Sequence, residues 1–369
     1  MSEGSEPVES VESIDGRIRV AVVGLGIGRL HVLAFKELRA RYRVVAVCDV
    51  DAGRAVEVAG WLKGVRAETD PEAIWAAPDV DVVSICTPPA LHRGQVEAAL
   101  RAGKDVICEK PLVGSVREVD ELVAVAAETG HHVMPVFQYR FGNGLQRLKA
   151  LVDQGLAGRP YVTNIDLAWT RGADYYAVPW RGRWETELGG VLTTHAVHLL
   201  DMAVHVLGPP VAAFARIATL VNDIETEDSA AVVLRWADGS LATLSATLGS
   251  AAEISRHRFA FAHVTAESGT APYTNSADPW TFTAAAGQED AIAAAVDAYE
   301  PGPEDYVGQF ARYADSWASG GELPVTLADA RLMLELLTAL YESSRLGIEV
   351  SLPLADDDPA LAGWAPIDS

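Results

Sequence analysis

Short apolar runs alternate with amphipathic stretches through residues 17–137. Apolar, β-branched runs predict strands at residues 17–23, 42–48, 80–86, 105–108 and 132–136. Helical spacing of apolar residues predicts helices at residues 29–39, 71–76, 90–102 and 116–128. Strands that alternate with helices are typical of βαβ units, so we expect an α/β domain with a parallel sheet over residues 17–137.

The pattern changes after residue 137. A helix at 145–154 and a strand at 160–169 are followed by four strands without room for helical crossovers, at 211–217, 229–236, 240–248 and 258–262. Such connections favour an open, mostly antiparallel sheet. Further helices are predicted at 190–206, 305–319 and 327–346. We expect a second, α+β domain over residues 138–354, between disordered acidic tails at 1–16 and 355–369.

A glycine-rich turn joins the first strand to the first helix, with Gly24, Gly26, Ile27 and Gly28 in it. Glycines there let the backbone approach a pyrophosphate, and the helix amino terminus supplies N–H donors. The usual motif has its third glycine one residue later, where this chain has Arg29. We expect a shorter turn in which Gly28 packs the helix against the strand.

Asp49 ends the second predicted strand, at the distance from the glycine turn where an acidic residue binds the adenosine ribose hydroxyls. A carboxylate there would repel a 2′-phosphate, so Asp49 favours NAD over NADP as the cofactor. Arg54 lies close enough in sequence to Asp49 to weaken this preference for NAD over NADP.

The strand at 105–108 ends on Glu109-Lys110-Pro111. Proline cannot donate to a sheet ladder, so Lys110 is expected on a stiff turn at the carboxyl edge of the sheet, where open α/β sheets bind ligands. A lysine there can donate to a ligand oxygen or stabilise a developing alkoxide. The alternative interpretation is a strand end capped by solvated charges.

Two features of the second half suit a sugar-like ligand. Aromatic and arginine side chains alternate in one loop and could stack on a ring and donate to hydroxyl, carboxylate or phosphate oxygens: Trp169, Arg171, Tyr176, Trp180 and Arg181. Alternatively, these aromatics belong to the core or to a subunit contact. On the helix at 190–206, Thr194, His198 and Asp201 share a face and His195 lies beside them. A histidine can take a hydroxyl proton, and Asp201 either orients His198 or satisfies the helix surface.

Composition excludes several classes of partner. The formal net charge of −22 argues against nucleic acid and anionic membranes. Cys48, Cys86 and Cys108 lie in apolar runs, which indicates buried, reduced thiols and no disulfide or metal site. The amino terminus lacks the pattern of a signal peptide and we find no bilayer-spanning apolar run, so we expect a cytoplasmic protein.

Motifs in both halves carry a resemblance to one known family. They are Gly24-Leu25-Gly26, Asp49, Thr87-Pro88-Pro89, His92, the run from Ala102 to Leu112 that contains Glu-Lys-Pro, Phe137 to Phe141, Gly189 to Leu192, His198, Asp201, Pro324 to Ala330, and Leu352 to Leu354. Together they resemble the Gfo/Idh/MocA family of NAD(P)-dependent oxidoreductases. The resemblance covers nearly the whole chain, and Glu-Lys-Pro is its most specific part.

This resemblance implies a Rossmann domain that binds NAD and a second domain whose open sheet carries the substrate on one side and often packs against another subunit. It adds these cofactor contacts: Thr87, Pro88, His92, Glu109, Lys110 and Gln138. By its position we expect His92 to be a surface histidine. Arg140 is added to the substrate contacts, and the acid/base histidine falls on His198. Thr194 stands where polyol dehydrogenases of the family often have aspartate, which weakens an inositol-type assignment.

Three functions follow from the resemblance. The leading one is a dehydrogenase or reductase acting on a secondary hydroxyl or ketone of a sugar, sugar derivative or polyol, with Lys110 and His198 at the reacting centre. The second is a hydrolase or lyase that oxidises its substrate transiently and recycles NAD. The third is a non-catalytic sugar or nucleotide sensor, which we would expect to lack Lys110 or His198. A homo-oligomer, either dimer or tetramer, is expected in each case.

Overall fold

The computed structural model describes residues 16–269 and 280–365. Its first sheet has six parallel strands, which are β1 (Ile18–Val23), β2 (Tyr42–Cys48), β3 (Arg66–Glu68), β4 (Val82–Ile85), β5 (Asp105–Cys108) and β6 (Val133–Pro135). Their spatial order is β3-β2-β1-β4-β5-β6. The predicted parallel sheet is therefore confirmed, with the strand order of a doubly wound Rossmann domain.

Five helices connect these strands: α1 (Gly28–Glu37), α2 (Ala52–Ala59), α3 (Glu72–Trp75), α4 (His92–Arg101) and α5 (Val116–Thr129). The sequence pattern missed β3 and α2. The strand is a three-residue Arg-Ala-Glu segment without a buried side chain, and the helix buries only Ala55, Val58 and Ala59. Neither segment is long or apolar enough to be recognised by periodicity.

The strand order reverses between β1 and β4, which lie side by side. In open α/β sheets the carboxyl ends of the strands at such a reversal form the crevice that binds ligands. Gly24 follows β1 and Thr87 follows β4, and the two residues come within contact distance of each other. The glycine turn and the turn after β4 therefore both border this crevice.

The second sheet has eight strands: β7 (Pro160–Thr170), β8 (Ala212–Ala218), β9 (Ser229–Arg235), β10 (Leu241–Thr247), β11 (Gly249–Phe261), β12 (Val264–Glu267), β13 (Thr281–Ala284) and β14 (Val350–Ser351). Their order is β13-β12-β11-β7-β10-β9-β8-β14. The β7–β10 pair is parallel, and the other neighbouring pairs are antiparallel. This arrangement confirms the prediction of a mostly antiparallel sheet.

Seven further helices accompany this sheet: α6 (Asn143–Asp153), α7 (Ala173–Tyr176), α8 (Trp184–Glu187), α9 (Val197–Leu207), α10 (Glu289–Ala298), α11 (Asp305–Ser319) and α12 (Leu327–Leu346). The helix predicted at 190–206 is correct in extent, but its first part, Leu192–Ala196, is a π-helical turn. π-Helical turns are rare in proteins, and those that occur often lie at functional sites.

The two faces of the second sheet differ. On β9, Ala230, Val232 and Leu234 are buried, whereas the alternate residues face outward. Strand β10 shows the same alternation. The period of two means that one face packs on the protein interior and the other lies at the surface of the chain.

Helix α11, which the sequence assigned to the second domain, packs on the first. The hydroxyl of Tyr42 on β2 donates to the carbonyl of Phe310 at 2.7 Å. The side chain of Gln309 accepts from the N–H of Phe137 at 3.1 Å and donates to the carbonyl of Pro135 at 2.8 Å. The carboxyl-terminal half therefore completes the packing around β2 and the domain crossing.

Arg140, which was expected to contact the substrate, lies at the domain crossing. Its side chain is buried, bonds to both carboxylate oxygens of Asp201 at 2.6 and 2.7 Å, and reaches Asp329 at 2.8 Å. Burial alone would lower the pKa of Arg140, but the two carboxylates raise it. The pairing also settles the role left open for Asp201, which binds Arg140 and makes no hydrogen bond to His198.

Two expectations about the chain's less regular parts need correction. The tail predicted from Ala355 is packed through Trp364, whose ring stacks on Tyr341 at 5.8 Å and whose indole N–H donates to Leu188 at 2.7 Å. Residues 1–15 and 366–369 lie outside the described residues.

The helical stretch Trp184–Leu207 has the length and composition of a membrane span, which the sequence interpretation missed. However, 83% of its most apolar window is buried within the protein.

Candidate active site

The glycine turn has the geometry of a dinucleotide cradle. Gly24 has φ +87°, and a Cβ there would lie 2.6 Å from the carbonyl group of Cys86. A Cβ on Gly26 would meet nothing within 4 Å, and Ile27 beside it is 43% exposed. Gly28 begins α1, and its Cβ would lie 3.0 Å from Val22. Gly28 therefore has the packing role predicted for the shortened turn.

Asp49 lies at the carboxyl end of β2, beside this turn. Its carboxylate accepts from the N–H of Leu25 at 2.7 Å and of Asp51 at 2.9 Å. Arg54 donates to the same carboxylate at 3.1 Å. Arg54 thus neutralises the charge of Asp49, which was expected to bind the adenosine ribose. This contact weakens the preference for NAD over NADP, as the proximity of the two residues in sequence had suggested.

His92 holds the turn after β4 through hydrogen bonds. It was expected at the surface, but the structure buries it completely. One ring nitrogen lies 2.8 Å from the carbonyl of Thr87, which precedes Pro88, and the other lies 2.8 Å from the carbonyl of Pro111. Burial lowers the pKa of His92. Both nitrogens face protein carbonyls, so His92 shapes the crevice instead of lining it.

Glu109 is likewise held within the protein. Its carboxylate accepts from Tyr306 Oη at 2.8 Å and from the N–H of Lys110 at 3.1 Å, and it lies 3.1 Å from His31 Nε2. Burial opposes ionisation, but the contacts with His31, Lys110 and Tyr306 lower the pKa of Glu109 to about 2. The carboxylate of Glu109, which was expected to contact the cofactor, therefore holds the turn through these protein contacts.

Lys110 connects the two domains. Its ammonium donates to the carbonyl of Thr194, in the π-helical turn, at 2.5 Å. Burial lowers the pKa of Lys110, Glu109 opposes that shift, and the positive charge of Arg181 adds to it. The structure therefore brings Lys110, from the end of β5, to the helix that carries His198.

His198 lies against Tyr139 of the domain crossing, with the ring centroids 4.6 Å apart. Its Nδ1 is buried without a hydrogen-bond partner among the described residues, as is Oε1 of Gln138. Burial, followed by the charge of Lys110, lowers the pKa of His198 well below its usual value. The imidazole is therefore neutral near pH 7 and able to accept a proton.

His195 joins the helix to the aromatic loop. Its Nδ1 lies 2.5 Å from Thr194 Oγ1. The ring packs edge-on against Trp169 at 4.9 Å and lies 6.0 Å from Tyr175. Trp169 is buried and donates to Ser255 at 2.9 Å.

The loop's cations stack on its aromatic rings. The guanidinium of Arg181 lies 3.8 Å from the Tyr175 ring and 4.3 Å from the Trp180 ring. Arg171 lies 5.1 Å from the rings of both Trp169 and Tyr175. Tyr176 packs on Tyr175 with 5.0 Å between centroids. The expected substrate residues of this loop thus form one cluster around Tyr175.

A buried carboxylate that the sequence did not reveal anchors the helix that carries His198. Glu227 accepts from the N–H groups of Gly190 and Leu192 at 3.0 Å and from Tyr341 Oη at 2.8 Å. Burial raises the pKa of Glu227 to about 7. Its partners lie far away in sequence, so no local pattern indicated this role.

Comparison with known proteins decides the family. Residues 18–137 match a family described as "Oxidoreductase family, NAD-binding Rossmann fold", and residues 145–271 match the "GFO/IDH/MocA C-terminal domain". The chain belongs to the Gfo/Idh/MocA oxidoreductase family. The predicted family and the predicted nicotinamide cofactor are confirmed.

Relatives within the Gfo/Idh/MocA family include inositol 2-dehydrogenases. The protein from Rhodococcus erythropolis is 40% identical over 149 residues, which are 40% of this chain and 43% of that protein. The one from Rhizobium meliloti is 32% identical over 62% of this chain and 68% of its own length. Among solved structures, the WlbA dehydrogenase from Bordetella pertussis, in complex with NADH and UDP-GlcNAcA, has a TM-score of 0.80 at 26% identity, covering 92% of this chain and all of that one.

The residues present fit a nicotinamide dinucleotide. The open side of Gly26 leaves room for a pyrophosphate at the start of α1. Asp49 lies where the adenosine ribose would bind, and the orphaned Oε1 of Gln138 is a buried acceptor at the domain crossing.

We predict that Gly24→Ala and Gly26→Ala separate folding from cofactor binding. Gly24→Ala should destabilise the fold by about 3 kcal/mol or more, because its Cβ would clash with backbone at a positive φ. Gly26→Ala should keep the melting temperature and weaken NADH binding about tenfold, because its Cβ enters the space above the turn. Thermal melts and NADH fluorescence titrations measure both effects.

The control is Gly302→Ala, where a Cβ also meets nothing within 4 Å. It should change neither quantity. Unaltered NADH affinity in Gly26→Ala would contradict the assignment of this turn to the cofactor.

Proposed function

We propose that this protein is an NAD-dependent oxidoreductase that transfers hydride between the nicotinamide and a secondary hydroxyl or ketone of a sugar, sugar derivative or polyol. The observation that carries the proposal is the contact of Lys110 Nζ with the Thr194 carbonyl at 2.5 Å. This contact brings a partly buried cation from the cofactor domain to the helix that carries His198.

Lys110 is proposed to stabilise negative charge on the substrate oxygen. A partly buried ammonium acts more strongly on a developing alkoxide than a fully exposed one would, because solvent screens it less. His198, neutral and with its Nδ1 unpartnered, is proposed to take the hydroxyl proton during oxidation and to return it during reduction. Bound NAD would supply the hydride acceptor.

The substrate is proposed to lie against the loop cluster of Trp169, Tyr175, Trp180, Arg171 and Arg181. Aromatic faces bind the C–H surfaces of sugar rings, and guanidinium groups donate to ring oxygens. The named relatives, inositol 2-dehydrogenases and a UDP-GlcNAcA-bound dehydrogenase, support a cyclic, oxygen-rich substrate. Thr194 in place of an aspartate argues against a simple inositol.

We predict that Lys110→Ala and His198→Ala each lower kcat by about 100-fold or more, because each removes a group that acts at the reacting oxygen. NADH affinity should stay largely intact. Lys149→Ala and His132→Ala, which alter residues of the same types that pair with Asp153 and Asp105, serve as controls and should retain turnover. Wild-type turnover in either test variant would refute the role of that residue.

The pH profile gives a second readout. Protonation of His198 removes the base as the pH falls, and its pKa is lowered, so the acid limb of kcat/KM should lie below pH 6.5. Loss of the Lys110 charge should produce an alkaline limb below pH 10.5. An acid limb above pH 6.5 would contradict the proposed base.

We propose further that the protein is a homo-oligomer, a dimer or tetramer, joined through the outer face of the second sheet. Val162, Val233 and Leu241 are 37%, 41% and 40% exposed on this face. The ion pair of Arg256 and Asp166 on the same face offers charges of both signs to a second copy. Light scattering of the purified protein should give a multiple of 39.3 kDa, and Val233→Asp should reduce it. A wild-type monomer would contradict the proposal.

A cytoplasmic location is also proposed. Cys48, Cys86 and Cys108 are all buried free thiols, as suits a reducing compartment. Cell fractionation should recover the protein with cytosolic markers, and recovery from an oxidising compartment would contradict the proposal.

A further inference from the structure

Positive charge is concentrated at the candidate substrate cluster of a chain whose formal net charge is −22. After burial, the groups that act most strongly on the His195 ring are Lys110, Arg171 and Arg181, and all three lower its pKa. Arg181 also lowers the pKa of Lys110. Three cations therefore converge on one part of the site, while the protein as a whole repels anions.

The two guanidinium groups lie over the same aromatic ring. Tyr175 is shared, with Arg181 3.8 Å and Arg171 5.1 Å from its ring centroid. A guanidinium held over a ring face keeps its N–H groups directed outward in its own plane, where planar oxyanions bind.

Arg181 has one edge available. Both of its side-chain hydrogen bonds, to Tyr175 Oη and to Glu187 at 3.3 Å, leave from Nη1. Within residues 16–269 and 280–365, no hydrogen bond engages its Nε or Nη2, and the side chain is 24% exposed. The Nε–Nη2 edge is a pair of parallel donors, the arrangement that binds a carboxylate or phosphate bidentately.

The carboxylates nearby do not cover this edge. Glu187 bonds to Nη1 and to the N–H of Gly182 at 2.5 Å, and burial raises its pKa. Glu253 lies 3.6 Å from Arg171. The available donors of Arg181 thus remain for a ligand.

We infer that the substrate carries an oxyanion, a carboxylate or a phosphate, that binds to the Nε–Nη2 edge of Arg181, with Arg171 and Lys110 contributing positive charge. This inference rests on the proposed function and narrows its substrate class to acidic sugars. A neutral ring would leave the guanidinium edge to water, whereas an oxyanion makes two charge-assisted hydrogen bonds there.

The test measures binding by titration calorimetry to the NADH-loaded protein. The probes are hexuronates and hexose 6-phosphates, each against its neutral hexose. At least one anion should bind about tenfold or more tightly than its neutral counterpart, and added salt should reduce the difference. Comparison of the two probe series distinguishes a carboxylate from a phosphate.

Arg181→Gln should reduce the affinity for the anion about tenfold and leave that for the neutral hexose unchanged. Arg181→Lys keeps the positive charge but lacks the paired donors, so its affinity for the anion should lie between those of wild type and Arg181→Gln. Arg183→Gln, at an exposed neighbouring position, is the control and should bind like wild type. Melting curves verify that each variant is folded.

Equal affinity for every anion and its neutral counterpart, or an unchanged ratio in Arg181→Gln, would overturn the inference. Because the readout is binding, it holds whether or not net NADH forms. Failure of the proposed redox function would be seen separately, as intact anion preference without turnover.

Discussion

The buried carboxylate of Glu109 constrains the arrangement of the elements around the candidate site. A buried charge costs several kcal/mol unless it is paired and hydrogen-bonded. Its partners come from three places: His31 on α1, Tyr306 on α11 and the backbone of Lys110. The helix that begins at the cofactor turn, the end of β5 and a helix from the carboxyl-terminal half are therefore fixed relative to one another by one ion.

The contacts of Glu109 also determine the position of Lys110. Its backbone is held by Glu109, and its ammonium reaches the Thr194 carbonyl in the second domain. On that side, Glu227 holds the first turn of the helix, and the π-helical turn follows it. Cation and neutral imidazole are thus supported from opposite sides of the cleft by two buried carboxylates that need not touch a substrate. The aromatic loop is organised differently, through cation–π contacts of Arg171 and Arg181 with Tyr175.

Local patterns were sufficient for the type of each sheet, for the glycine turn and for the Glu-Lys-Pro turn, because hydrophobic periodicity, turn chemistry and proline act within a few residues. They failed wherever a side chain finds its partner far along the chain. Tyr306 and Glu109 are 197 residues apart, and Arg140 and Asp329 are 189 apart. His92 was placed at the surface because nothing in its neighbourhood indicates that Pro111 covers it. The terminal segment was taken as a disordered tail because its acidic composition outweighed Trp364, which docks on Tyr341.

The central claim is that the contact between Lys110 and the helix of His198 marks a centre for net hydride transfer. The most direct test incubates the purified protein with NAD and acidic and neutral ring sugars deuterated at their carbinol carbons. NADH is followed by its near-ultraviolet absorbance, and products are followed by mass spectrometry. The account predicts one deuterium transferred to the cofactor for each ketone formed. Bond cleavage or dehydration without net reduced cofactor would contradict it and favour an enzyme that recycles NAD.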